Sequence, residues 1–155
     1  MTASTAGTGP FEPPTATLPR RLGAMLYDAL LIVALWMVVT AILLPLTGGE
    51  AITPRSVGWL EGLYQLLLVS VVVFFFGYSW TRTGQTVGMA AWRLQLVRAE
   101  GGLPSWRDTL RRLAAALISA LAFGLGYVWV VFDRDRLAWH DRFSGTKVVV
   151  LPKRR

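Results

Sequence analysis

The chain has 155 residues, enough for one domain, and more than half are apolar while only 16% are charged, against about 25% in soluble domains. The formal net charge is +7; in a chain this apolar, basic residues read as the flanks of membrane segments rather than as a nucleic-acid surface. There is no cysteine, which excludes disulfides, thiol catalysis and zinc–thiolate sites.

Residues 1–19, MTASTAGTGPFEPPTATLP, contain one aromatic and one charged side chain. They cannot bury enough surface to fold and read as a disordered cytoplasmic tail. No basic residue precedes Arg20, and the apolar run that follows is too long for the core of a cleaved signal peptide. That run, Leu22–Leu46, and a second, Val57–Trp80, each exceed the roughly 20 residues that cross a bilayer. The first helix is expected from about Arg21 to Leu46, stopped by Pro45, Thr47, Gly48 and Gly49. The second is expected from about Val57 to Trp80, with Trp59, Tyr64, Tyr78 and Trp80 near its ends as interfacial aromatics. Glu61 and Gln65, four apart, either line a polar path or face headgroups.

"TGQTVG", residues 83–88, lacks the lysine and spacing of a phosphate loop and reads as a turn leaving the second helix. Alternation follows. Trp92, Leu94 and Leu96 point one way, and Arg93, Gln95 and Val97 the other, predicting a strand over Arg93–Val97. Glu100, Gly101 and Gly102 make a turn. Ser105 with Asp108 is a capping-box start for a third helix, on which Trp106, Leu110, Leu113 and Leu117 form an apolar stripe. The apolar stretch Leu113–Phe132 is interrupted at Gly124 and Gly126. "TKVVVL", Thr146–Leu151, is a second strand.

The charge count decides between topologies. Lysines and arginines number two before the first helix, one in the first loop, six over residues 81–112 and seven after Phe132. The positive-inside rule places the N-terminus and the second loop in the cytoplasm. A single crossing by Leu113–Phe132 would leave the seven C-terminal basic residues outside. A half-helix that turns at "GLG" and returns keeps them inside, and irregular backbone at that depth is tolerated where protein covers it. It also lets the two strands pair, since a lone strand leaves its backbone unsatisfied. The expected fold is therefore an α-helical membrane protein: two full transmembrane helices, a third apolar segment that is re-entrant or a hairpin, and a small two-stranded cytoplasmic β-sheet. Residues 20–152 form the membrane domain and 153–155 a basic tail. A three-span arrangement is the competing topology.

Asp28 stands inside the first apolar run. It lies two helical turns after Arg21, on the same side and about 10 Å deeper. A charge at the bilayer centre costs about 2.5–3.5 kcal/mol on insertion scales, so Asp28 must face protein or water and be protonated or paired. Arg21 is too far along the same helix for direct contact, though the side chains can lean toward each other; Arg111 and Arg112 are alternative partners. The functional reading is a proton- or cation-binding carboxylate; the structural one is an ion pair that sets helix packing. In "FDRDRLAWHDRFSGTKVVV", Asp133, Arg134, Asp135 and Arg136 alternate in sign and read as a solvated network. His140 and Asp141 follow. One histidine among acids lacks the paired ligands of a zinc motif, so no metal and no cofactor are expected. His140 is either a pH sensor or a structural side chain. No nucleophile–base set suggests an enzyme.

These residues together resemble the RDD family of bacterial membrane proteins, named for one arginine and two aspartates. Arg21 opens the first helix and Asp28 lies within it, as the family's arginine and first aspartate do. A GxTxGK-like turn corresponds to Gly84, Thr86 and Gly88, a strand to "RLQLV", a glycine–serine turn to Gly101–Ser105, an arginine to Arg112, and the closing "HD…GT.VV" to His140, Asp141, Gly145, Thr146 and Val148–Val150. The second aspartate is then Asp141, with Asp133 the other choice. Met89 departs from the pattern, which has a basic residue there. The resemblance spans about Arg20 to Pro152. It implies cation–proton antiport at the bacterial cytoplasmic (inner) membrane, multi-pass, with both termini cytoplasmic.

Two functions are left open. One is a monovalent cation/proton exchanger, in which Asp28 binds the ion, the arginines tune it and Asp141 holds a gate. Two spans enclose no pathway, so this needs a homo-oligomer. The other is a non-transporting anchor, assembly or regulatory module for another membrane protein. Beyond these the expected partner is the lipid bilayer and not nucleic acid.

Overall fold

The computed structural model describes residues 13–47 and 58–152. Residues 1–12 of the expected tail, most of the first loop with Arg55, and residues 153–155 lie outside the described residues. Helix α1 (Leu18–Leu43) has 26 residues, about 39 Å. It starts earlier than Arg21 because Pro19 fits its first turn, where no N–H is needed and φ is already helical. It ends at Leu43 in a short 3-10 turn, Leu44–Thr47, because Pro45 cannot continue the hydrogen-bond ladder.

Helix α2 (Gly58–Arg82) returns antiparallel to it. Trp36 Nε1 donates to Leu68 O at 3.0 Å, and Thr40 Oγ1 meets the Tyr64 hydroxyl at 2.7 Å. Continued along both helices, this register sets Asp28 level with Phe76, about 9 Å inside Arg82. α1 and α2 are the two described helices long and apolar enough to cross a membrane. Their apolar side chains point outward, as lipid-facing surface does: Leu30 and Ile42 on α1 and Leu66 and Phe74 on α2 are exposed.

After α2 the chain turns at Gly84, whose φ of +71° is left-handed, into the short α3 (Val87–Ala91) and strand β1 (Leu94–Arg98). Ser105 and Asp108 close the expected capping box. Ser105 Oγ accepts from the Asp108 amide at 3.3 Å, and Asp108 Oδ2 accepts from the Ser105 amide at 2.9 Å. This opens α4 (Trp106–Leu121). Phe123 and Gly124, both at positive φ, then reverse the chain into α5 (Leu125–Val128) and a 3-10 turn over Trp129–Val131, bent 108° from α4. α6 (Trp139–Ser144) and β2 (Thr146–Val150) complete the chain.

β1 and β2 pair antiparallel, with Leu94 opposite Val150 and Leu96 opposite Val148. Two hydrogen-bonded strands occupy one face, so the bent apolar segment between them leaves and returns on the same side. One feature differs from the expectation, and a second is one that the periodicity leaves open. Residues 13–19 are ordered rather than part of a loose tail. Pro14 O accepts from the Val150 amide at 2.9 Å and the Ala16 amide donates to Val148 O at 2.8 Å, so this segment covers the free edge of β2. The stripe on α4 is also turned outward. Leu110 and Leu117 are exposed, while Thr109, Arg112, Ala115 and Ser119 are buried. In a bilayer the apolar face meets lipid and the polar face meets protein. The packed core lies where the sheet meets the helix ends, around Ala16, Ala24, Trp80, Met89, Leu94, Leu96 and Val148.

Candidate functional site: two buried acids beside one cavity

Asp141, in the first turn of α6, is fully buried. Its Oδ2 accepts from Arg21 Nη1 at 2.6 Å and from the Ala138 amide at 2.9 Å. Its Oδ1 accepts from Arg112 Nη1 at 2.5 Å. Arg21 comes from the first turn of α1 and also donates to Ala16 O and Arg136 O, both at 3.1 Å. Arg112 comes from the buried face of α4, donates to Thr146 Oγ1 at 2.8 Å and stacks over the Trp80 ring at 5.4 Å. The three charges join α1, α4 and α6 at one point. Burial by itself would raise the Asp141 carboxyl, but Arg112 and Arg21 outweigh it and hold it down at about 2.

His140 lies beside this cluster, its Nε2 3.7 Å from Asp141 Oδ1 and its ring 4.6 Å from that of Tyr127. Burial, with the positive charge of Arg112, pushes it down to about 3. That favours the neutral imidazole near pH 7, in line with the structural alternative for His140. Its Nδ1 has no hydrogen-bond partner among the described residues.

Asp28 is equally buried but differently held. Its Oδ2 accepts from Thr86 Oγ1 at 2.5 Å and its Oδ1 from the Gly88 amide at 2.8 Å. Thr86 in turn accepts from the Met89 amide at 3.1 Å, capping α3. A side chain at Gly88 would place its Cβ 2.1 Å from Ala24 O and 2.8 Å from Asp28 Oδ1, so only glycine lets α3 come this close to α1. Neither Arg21, Arg112 nor Arg111 pairs with Asp28, a correction to the expected partners. Arg21 and Arg112 are drawn to Asp141, and Arg111 sits on the exposed side of α4. Met89 is buried, and its sulfur accepts from Trp80 Nε1 at 3.4 Å.

The other expected residues support these two. Gly84 O accepts from the Leu96 amide at 2.7 Å, fixing the turn against β1. Gly145, at φ +64°, ends α6 and starts β2, where Thr146 Oγ1 also meets Ser144 Oγ at 2.7 Å. Asp133 lies outside the cluster. It accepts from the Leu137 amide at 2.9 Å and from Arg142, which together hold it below the usual carboxylate range. Glu61 and Gln65 bond each other at 3.1 Å on the exposed surface of α2, near the end opposite the sheet. Trp80 and Tyr127 were not singled out for this site from the sequence, and a ring stacked on a distant arginine leaves no sequence signal. Thr86 and Gly88 stand out in the sequence as part of the motif turn, without a link to Asp28. The available signal was a membrane-depth acid that needs N–H and O–H donors beside a helix start that has them free.

A cavity of about 380 Å³ separates α1 from α2 and α4. Arg21, Asp28, Arg112 and His140 line it toward the sheet, and Ile32, Trp36 and Val72 line it deeper. Among the described residues no three histidine or acidic side chains come together as metal ligands.

Two apolar spanning helices, a bent third segment and a buried Arg–Asp–Arg cluster beside a second buried acid define a small multi-pass membrane protein with charge built into its helix junction. The RDD family model matches residues 15–145, and the chain belongs to the RDD family. Comparison with curated proteins and with solved structures gave no match.

Proposed function

We propose that this RDD-family protein exchanges protons for a monovalent cation, with Asp28 as the group that takes up proton or ion. The observation that carries the reading is the setting of Asp28: a membrane-depth acid on a cavity wall, with only neutral donors and no guanidinium as counter-ion. Buried membrane acids of this kind mark ion and proton routes. Arg21, Arg112 and Asp141 serve as the frame that fixes α1 against α4 and α6 rather than as a carrier, because the Asp141 carboxylate is already held by two guanidiniums. Two spans and a returning hairpin do not enclose a pathway, so exchange requires a homo-oligomer. The basic residues before α1 and around the sheet support a cytoplasmic placement of both, in the bacterial cytoplasmic membrane. No catalytic role is assigned to any residue.

A second reading, a non-transporting anchor or assembly module, is favoured by the same cluster, whose tightly held carboxylate resembles architecture more than a gate. Proton flux in proteoliposomes separates the two. Wild type and Asp28→Asn, equally folded and incorporated, are given Na⁺, K⁺ or Li⁺ gradients with a trapped pH dye. Cation-dependent proton movement lost in Asp28→Asn is the expected result. A silent wild type with all three ions leaves the module reading.

A further inference from the structure

The cavity has a feature that ion exchange does not use. Arg112 is buried, yet both its hydrogen bonds, to Asp141 and Thr146, come from Nη1. Among the described residues, Nε and Nη2 have no hydrogen-bond partner. Those two atoms form one edge of the guanidinium, the edge that receives a carboxylate through two parallel bonds. Two guanidiniums that line the cavity, Arg21 and Arg112, share the single carboxylate of Asp141. Asp28, the acid on the wall, directs its oxygens to Thr86 and Gly88.

The rest of the lining is apolar or aromatic, Ile32, Trp36, Val72 and Phe76 among it. α1 and α4 barely pack on each other, and Met25 and Ala29 on the α1 rim are exposed. The volume, about 380 Å³, is at the lower end for small-molecule sites, about 300–1,000 Å³, and suits one hydrocarbon chain better than two.

We propose that this cavity binds a single-chain anionic amphiphile of the fatty-acid type, with its carboxylate on the Arg112 Nε–Nη2 edge and its chain running between α1 and α2 past Trp36. The inference does not rest on ion exchange, since the ligand is held by Arg112 and not by Asp28. The ligand reaches the cavity laterally from the bilayer, where such amphiphiles already partition.

Trp36 and Trp80 line the cavity, so a brominated stearic acid quenches their fluorescence when it binds. The full chain in phosphatidylcholine nanodiscs is titrated with dibromostearic acid and with its methyl ester. Saturable quenching by the acid, at least tenfold weaker for the ester, is expected. Ala116→Leu narrows the cavity while leaving Arg112 and Asp141 in place and is expected to raise the dissociation constant at least tenfold, with helix content and Tm unchanged. Equal quenching by acid and ester, non-saturating quenching, or an Ala116→Leu titration identical to wild type overturns the proposal. So does displacement of the acid by phosphatidylglycerol at equal concentration, which would make the occupant a two-chain bilayer lipid.

Discussion

Two buried acids of this protein, Asp28 on the cavity wall and Asp141 paired with the arginines that line it, are stabilised in opposite ways. Asp141 is held by charge: two arginines, brought from α1 and α4, converge on it. Asp28 is held by dipoles: one hydroxyl and one amide from the turn that opens α3. The first arrangement ties together residues 120 and 29 positions apart in the chain and leaves little freedom, since losing the shared carboxylate strands two buried guanidiniums. The second leaves a carboxylate without a counter-ion, where an arriving proton or cation meets no competing guanidinium. Burial alone does not separate a structural acid from a functional one; the kind of partner does.

The strongest way to break the contrast is Asp141→Ala. Removing the shared partner strands two buried guanidiniums, and about 3–5 kcal/mol of stability should go with it, read as a large fall in Tm in detergent or as failure to accumulate. Acid should act on the same region. His140 has a depressed pKa, about 3 against 6.5, so the unfolded chain binds a proton between those values that the folded chain refuses. Stability is then present above pH 6.5 and lost as pH falls toward 3, by at most about 1.4 kcal/mol per pH unit from this residue. His140→Phe, which keeps a ring against Tyr127, should flatten that part of a Tm-versus-pH series. Asp141, held at about 2, adds its own loss at the acid end, below about pH 4.

On the Asp28 side the effects should be smaller. Gly88→Ala forces a Cβ against Ala24 O and should cost about 1–3 kcal/mol by pushing α3 away from α1. Asp28→Asn keeps an acceptor for the Gly88 amide and should cost only about 1 kcal/mol, leaving a folded protein. If Asp28→Asn proves as damaging in a thermal melt as Asp141→Ala, the distinction between the two acids collapses. The reference for both is Arg98→Ala. It removes a half-exposed pair with Asp108, 3.0 Å apart at the mouth of α4, and should change Tm by no more than about 1 kcal/mol implies.

Much of this architecture was readable in the residues. The two spans follow from apolar length, the returning hairpin from the seven basic residues after Phe132, and the α4 start from Ser105 and Asp108. Arg21, Asp28, Arg112 and Asp141 stood out as charges in or beside apolar runs. Their pairing did not. Arg21 and Asp28 share a helix face two turns apart, too far for direct contact, and the alternatives Arg111 and Arg112 do not reach Asp28 either: Arg21 reaches Asp141, and Asp28 reaches Thr86 and Gly88.

The amino-acid sequence by itself determined the two long apolar helices, the break in the third apolar segment and the strands, because apolar length, charge bias and side-chain periodicity are local or summed quantities. Only the tertiary structure decided which acid is answered by arginine and which by an amide. That depends on which turns reach each carboxylate once α1, α4 and α6 meet. It also decided which face of α4 points inward, because periodicity defines a stripe without saying whether lipid or protein lies against it.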